Sequence, residues 1–323
     1  MPKVVVTYKI PEAGMMLLAK QSGLSVECHK GKKPLSHSQL LKMVRGADAV
    51  ICLLGDKMDD GVFAAAGPQL KVVANYAVGF DNIDVVAAQK RKIIVTNTPA
   101  VLTEAVAEHT IALMLATARR IVESDQFFRA GKYEGWRPEL LLGTELQGKT
   151  LGVVGLGRIG ERVAEIAAKG FGMKIVYTDP KPHPEFDIAL GARRLSTEKL
   201  FSTADVVSIH VPLLPTTHHL VDATRLRSMK RTALLVNTSR GSVVDERALA
   251  AALKAKTIAG AGLDVFEFEP TPVAALLKLS NVVMTPHTAS ATVEARNAMS
   301  ELAAKNVIAV LSGKKPLTEV QLR

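Results

Sequence analysis

Short apolar runs of strand length alternate with stretches of helical period along nearly the whole chain. "KVVVTY" (3–8), "AVICLL" (49–54), "LKVVANY" (70–76) and "IIVTNT" (93–98) are continuous apolar runs, the pattern of strands buried on both faces of a parallel sheet. Between them, "SHSQLLKMVRG" (36–46) carries apolar residues at 40, 41, 43 and 44 behind a Ser36…Gln39 capping pair, and "NIDVVAAQKRK" (82–92) repeats the helical period. One long helix is expected over 101–120. The alternation then restarts with "TLGVVG" (150–155), "KIVYTD" (174–179), "DVVSIHV" (205–211), "ALLVNTS" (233–239), "AGAGLDVF" (259–266) and "NVVMTP" (281–286). Helical stretches such as "RIGERVAEIAAKGFG" and "DERALAAALKAK" separate most of these runs. Strands alternating with crossover helices define an α/β chain with two parallel sheets, the second the larger. A length of 323 residues is long for one core, so two domains are expected.

Composition removes several classes of function. Hydrophobic residues make up 48% and charged residues 22%, ordinary for a globular protein. The net charge of +10 raises the question of nucleic acid, but the basic residues are scattered, with short clusters only at 30–33 and 89–92, and aromatics are 4%, too few for base stacking. No nucleic-acid partner is expected; the basic surface would instead draw in small anions. The most apolar long stretch contains Glu104, Glu108 and His109, so no membrane span is expected, and the opening "MPKVVVTYKIPEAG" reads as strand and turn rather than a secretory signal. Cys28 and Cys52 are too few for a disulfide framework or a cysteine metal site, which fits a reducing cytoplasm.

The first chemical signal is "LGVVGLGRIGERVAE", where Gly155, Gly157 and Gly160 stand in G-x-G-x-x-G spacing between a strand and a helix. The spacing permits a tight turn at Gly155, close approach of backbone to a pyrophosphate at Gly157 and close helix–strand packing at Gly160, with the helix N-terminus attracting the negative charge. Glycine-rich turns also occur for structural reasons alone, but here a second strand ends on an acid, Asp179, 19 residues past Gly160. A carboxylate there can accept from both ribose hydroxyls and repels a 2′-phosphate, so it favours NAD(H); Lys181 nearby leaves room for NADP(H). The competing reading is that Asp179 only caps the turn before Pro180.

Three further residues follow apolar strands at the end where such sheets bind ligands: Arg240 in "VNTSRGSVVDE", Glu269 in "GLDVFEFEP" and His287 in "MTPHTAS". Taken singly, each has a structural reading: a surface ion pair, a loop charge before Pro270, a buried hydrogen-bonded ring. Among the other histidines, His109 falls in a helical pattern and reads as a hydrogen-bonded core residue, and His210 ends a strand near the expected cofactor. His218 and His219, as sequence neighbours, do not share a metal-ligating face on a regular strand or turn, so no metal site is expected.

With the glycine turn, these segments resemble the D-isomer-specific 2-hydroxyacid dehydrogenases. "NYAVGFDNIDV", "TNTPAVLTEAVAE", "LGVVGLGRIG", "NTSRGSVVDE", "GLDVFEFEP" and "PHTASAT" occur in that order across nearly the whole chain, and "GWRPELLLGTELQGKTLG" is most similar to the glyoxylate and hydroxypyruvate reductases. The resemblance implies two Rossmann-like or flavodoxin-like domains: a discontinuous substrate domain from 1–98 plus 290–323, completed by a final helix ending near Gly313, and a dinucleotide-binding domain over 99–289. It implies a catalytic trio that needs no metal. Arg240 would grip the substrate carboxylate and polarise the keto oxygen, His287 would donate a proton to that oxygen, and Glu269 would orient the ring and favour its charged form. Backbone N–H groups of Val78 and Gly79 would bind the carboxylate. Cofactor contacts would come from Gly155, Leu156, Gly157, Arg158, Ile159, Gly160 and Asp179, and further from Thr103, Thr238, Ser239, Arg240 and Asp264.

The implied activity is reduction of glyoxylate or hydroxypyruvate to the D-2-hydroxy acid by NAD(P)H, in a cytoplasmic homodimer that closes its domains over the cofactor. Trp136, the only tryptophan, lies in an arm that pairs subunits in related enzymes. The rival substrates are phosphite, 3-phosphoglycerate and D-lactate. A rival class is a non-catalytic dinucleotide-sensing scaffold, which can keep the same trio.

Overall fold

The computed structural model describes residues 1–321, which divide into two compact units: Met1–Leu102 with the chain from Ala291 onward, and Thr103–Ser290. In the first, β1 (Lys3–Val6), β2 (Ser25–Cys28), β3 (Ala49–Cys52), β4 (Val72–Asn75) and β5 (Ile94–Thr96) form a parallel sheet in the order β2-β1-β3-β4-β5. Helices α1 (Glu12–Ala19), α2 (His37–Met43), α3 (Asp60–Ala66) and α4 (Val85–Lys90) make the crossovers. The expected Ser36–Gln39 capping box is formed: Ser36 Oγ accepts from Gln39 N–H at 3.3 Å and Gln39 Oε1 accepts from Ser36 N–H at 2.9 Å. The apolar pattern does not announce α1, α3 or β2, and β2 is an edge strand that alternates exposed and half-buried residues instead of presenting a continuous apolar run.

The second unit begins with α5 (Thr103–Ala118), the helix expected over 101–120, followed at once by α6 (Ile121–Arg129), which the apolar pattern does not announce. The break is at Arg120, whose φ of +52° is left-handed; its guanidinium meets both oxygens of Glu123 at 2.8 Å. There follow β6 (Thr150–Val154), α7 (Arg158–Phe171), β7 (Lys174–Thr178), α8 (Pro184–Leu190), β8 (Arg193–Arg194), α9 (Thr197–Thr203), β9 (Val206–Ile209), α10 (Ala223–Ser228), β10 (Leu234–Asn237), α11 (Glu246–Lys254), β11 (Gly260–Leu263) and β12 (Val282–Met284). The sheet is parallel, in the order β12-β11-β10-β9-β6-β7-β8. Its seventh strand, the two-residue β8, was not expected. The order reverses between β6 and β9, and ligands of such sheets bind beyond the carboxyl ends of the strands at that point.

The last helix, α12 (Val293–Leu311), returns to the first unit, where Ser300 Oγ accepts from Gly14 N–H of α1 at 3.0 Å and Arg296 carbonyl accepts from Tyr76 Oη at 2.8 Å. Buried Asn306 then turns the chain, accepting from Leu317 and Thr318 N–H at 2.8 and 3.1 Å, so that Val320 N–H donates to Val95 carbonyl beside β5. No helix among the described residues is long and apolar enough to cross a membrane.

Candidate active site

The glycine turn separates packing from binding. Gly155 leaves β6 at φ +91°, and a β-carbon there would stand 2.7 Å from Val211 Cγ1 and 2.9 Å from the carbonyl of His210. At Gly160 a β-carbon would fall 2.2 Å from Gly155 O, so these two glycines let α7 start close against the strand. Gly157 is different: no atom lies within 4 Å of where its β-carbon would be, and as the N-cap of α7 it offers no side-chain acceptor to the first-turn N–H groups. An open, electropositive helix start of this kind fits a dinucleotide pyrophosphate. Gly157 and Arg158 are exposed there and Ile159 is half-buried, whereas Leu156 is buried and its N–H donates to Asp179 Oδ2 at 2.9 Å.

Asp179 therefore braces the turn as well as facing outward. Its other oxygen accepts from Lys181 N–H at 3.0 Å and lies 3.5 Å from His183 Nε2. Burial alone would raise its pKa, but the two backbone N–H groups and His183 outweigh that and hold the carboxyl below its ordinary value. Arg194, which the sequence reading passed over, donates to the carbonyls of Asp179 and Pro180 at 2.8–3.0 Å. An open groove of about 590 Å³ runs alongside, lined by Thr178, Arg194, Leu195, Ser196, Thr197 and Glu198. An acid and a guanidinium side by side suit a ribose while leaving a cation within reach of a 2′-phosphate.

At the opposite side of the switch point, the loops after β10, β11 and β12 carry Arg240, Glu269 and His287. His287 Nδ1 lies 3.0 Å from Glu269 Oε2, and Glu269 Oε1 accepts from Phe266 N–H at 3.1 Å. The carboxylate thus addresses one ring nitrogen and leaves Nε2 for a substrate. Burial pushes the Glu269 carboxyl up, but His287, the Phe266 N–H and the positive charge of Arg240 together bring it below the usual range. Arg240 Nη1 donates to Ser239 carbonyl at 2.8 Å, and Asn237 Nδ2 holds the Arg240 carbonyl at 3.0 Å. A β-carbon at Gly241 would overlap the Phe266 backbone at 1.9 Å, so only glycine lets the Arg240 loop pack against the Glu269 turn.

Asp264 is the frame on which His287 is mounted. Its side chain is fully buried; Oδ1 accepts from Thr285 Oγ1 at 2.6 Å and Thr288 N–H at 2.7 Å, and Oδ2 accepts from Ala289 N–H at 2.7 Å. Its backbone carbonyl takes His287 N–H at 2.8 Å. His109 donates from Nε2 to Thr285 Oγ1 at 3.0 Å, since that hydroxyl's hydrogen goes to Asp264. Desolvation of Asp264 is outweighed by these partners, and its pKa is lowered. Of the other expected cofactor residues, Thr238 Oγ1 lies 2.9 Å from Thr110 Oγ1 of α5, Ser239 donates from N–H and Oγ to Asn237 Oδ1 at 3.0 and 2.9 Å, and half-buried Thr103 opens α5.

Val78 and Gly79 belong to the first unit, in the loop after β4. Asn97 Nδ2 pins the Val78 carbonyl and Asn75 Nδ2 the Gly79 carbonyl, each at 2.7 Å. Neither N–H finds an acceptor among the described residues, so both remain available to an anion.

A parallel sheet with a glycine turn at its switch point, an acid closing the next strand and an Arg–Glu–His set on neighbouring loops defines a nicotinamide-dependent dehydrogenase. The chain belongs to the D-isomer-specific 2-hydroxyacid dehydrogenases: residues 111–289 match the family described as "D-isomer specific 2-hydroxyacid dehydrogenase, NAD binding domain". It is an NAD(P)-dependent oxidoreductase acting between 2-keto and 2-hydroxy acids. The glyoxylate reductase of Korarchaeum cryptofilum is 50% identical over 317 residues, covering 98% of this chain and 94% of its own. The TT0316 protein from Thermus thermophilus superposes with a TM-score of 0.92 at 47% identity, covering 99% of this chain and 100% of its own. The NADPH-dependent glyoxylate/hydroxypyruvate reductase SmGhrB from Sinorhizobium meliloti, solved with NADP and malonate, gives a TM-score of 0.86 at 36% identity over 99% of this chain and 96% of its own.

Proposed function

We propose that this enzyme reduces glyoxylate and hydroxypyruvate to D-2-hydroxy acids, using NADH in preference to NADPH, as a cytoplasmic homodimer. The observation that carries the reading is the contact of His287 Nδ1 with Glu269 Oε2 at 3.0 Å beside the Arg240 loop. A nicotinamide held at this site would supply the hydride to the carbonyl carbon. Everything else falls to the chain: His287 Nε2 donates the proton that turns the keto oxygen into a hydroxyl, and Glu269 keeps the ring aimed and its Nδ1 hydrogen engaged. Arg240 polarises the keto oxygen and holds the carboxylate with its planar fork, and the N–H groups of Val78 and Gly79 are donors suited to a substrate carboxylate. Gly157, Arg158 and Ile159 receive the pyrophosphate; Asp179 takes the ribose; Thr103, Thr238, Ser239 and Asp264 frame the nicotinamide end.

The homodimer reading rests on the arm after α6. Trp136 is 80% exposed, with Phe128, Tyr133 and Leu142 also exposed nearby in sequence, more apolar surface than one stretch of a monomer usually shows to water.

The test is turnover of His287→Asn with NADH and a panel of glyoxylate, hydroxypyruvate, pyruvate and phosphite. Wild type should favour the first two, and the variant should bind NADH normally while losing roughly 10²-fold or more in turnover. Near-wild-type rates in the variant remove His287 from the chemistry. NADH binding without turnover of any panel member points to a sensing scaffold.

A further inference from the structure

His218 and His219 lie in the loop between β9 and α10, and their adjacency argued against a shared ligating face. The backbone resolves this: His219 adopts φ +51°, and the two imidazoles stack with centroids 4.0 Å apart and 26° between their planes. Glu267, in the turn after β11, brings Oε1 to 2.7 Å from His219 Nε2. One ligand atom from each of the three lies within 4.8 Å of the others, the only such set of His, Cys, Asp or Glu among the described residues. We propose that His218, His219 and Glu267 form a binding site for a divalent transition ion of the zinc type.

Two imidazoles and a carboxylate are a donor set that zinc takes in open sites, with bonds of about 2.0–2.2 Å. Such bonds at tetrahedral angles place ligand atoms about 3.3 Å apart. The His219–Glu267 pair needs to open slightly, and exposed His218 needs to swing inward; both are side-chain rotations. The ion would stand where a hydrogen now bridges Nε2 and Oε1. The supports are already fixed: Glu267 N–H donates to Glu246 Oε2 at 2.7 Å, and His219 N–H donates to Ser242 carbonyl at 2.9 Å. Nitrogen donors select against Mg²⁺ and Ca²⁺, which prefer oxygen. A bound ion would tie this loop to the turn that carries Glu269 two residues further on.

The full chain, stripped with chelator, is titrated with Zn²⁺ by calorimetry and with Co²⁺ by visible absorption. One ion per chain is expected, with Kd on the order of micromolar and bands of four- or five-coordinate cobalt. His218→Ala and Glu267→Gln should each weaken binding about tenfold or more, and His219→Asn, a residue that tolerates the left-handed backbone, should do likewise. Melting of ion-free His218→Ala should match wild type. Absence of binding at about 100-fold above that Kd, or His218→Ala retaining wild-type affinity, overturns the site.

Discussion

Glu269→Gln removes one charge and almost no volume, so its effect isolates what the carboxylate does to the ring. Glutamine has one oxygen where glutamate has two. If that oxygen stays on the Phe266 N–H, 3.1 Å from Oε1 in the wild type, the amide NH₂ faces His287 Nδ1 across the 3.0 Å contact. Two donors then oppose each other whenever the imidazole is charged, because an imidazolium donates from both nitrogens. Unit charges about 4 Å apart are worth roughly 4 kcal/mol at an effective dielectric of 20 and about 1 kcal/mol in water. His287 and Glu269 have side chains 30% and 40% exposed, so solvent screening places the pair near the lower end, about 1–2 kcal/mol. That is about a tenfold factor in an equilibrium or a rate. Since the charged contact is lost, kcat/KM for keto-acid reduction should fall about tenfold with NADH affinity unchanged. The assay is steady-state reduction across the pH range, with NADH affinity measured separately by fluorescence. A kcat/KM close to wild type would refute the assignment and reduce Glu269 to a structural brace for the Phe266 turn.

Two further outcomes follow from the same unit. Asp179→Ala removes the ribose acceptor while leaving Arg194 and Lys181 in place, so the NADPH/NADH ratio of kcat/KM should rise about tenfold, the scale of one hydrogen bond to a charged group; an unchanged ratio contradicts the ribose contact. His210, whose ring meets Ser208 Oγ at 2.8 Å, has its pKa pushed by burial from 6.5 to about 3, so it contributes stability that is complete above pH 6.5 and lost as pH falls toward 3. By pH 5 the loss is at most about 2 kcal/mol, less for the part of the residue that water reaches, and His210→Gln should show a correspondingly shallower fall in urea-unfolding free energy between about pH 8 and pH 5; an equal slope in both proteins rejects it.

What could be read in advance depended on whether a structural role leaves a local mark. Buried parallel strands such as β3 and β9 do, because both faces are covered and every residue is apolar or small. The edge strand β2 and the two-arginine β8 do not, since one side of each meets water. The break at Arg120 carries no glycine or proline to announce it. Arg240, Glu269 and His287 each follow an apolar strand end, which marks them as candidates, but only the family resemblance implies that they act together. Arg194 is not so marked, because it acts through the carbonyls of Asp179 and Pro180, which any sequence would supply. The closeness of His218 and His219 is hidden for a related reason: a regular backbone would separate them, and the left-handed value at His219 is not written in their identity.

The same limit explains His287 itself. Its φ of +54° is an uncommon conformation for a residue with a β-carbon, costing about 1–2 kcal/mol. An imidazole that merely plugged the end of β12 would have no reason to adopt it. The cost is offset by Asp264, which fixes the backbone N–H of His287, Thr288 and Ala289 and the hydroxyl of Thr285, with His109 steadying that hydroxyl from α5. The backbone beneath the ring is thus set by a residue 23 positions earlier and a helix still further back, and Glu269 meets the ring itself. The segment after β11 carries both Asp264, which fixes the backbone at His287, and Glu269, whose Oε2 meets the His287 ring at 3.0 Å.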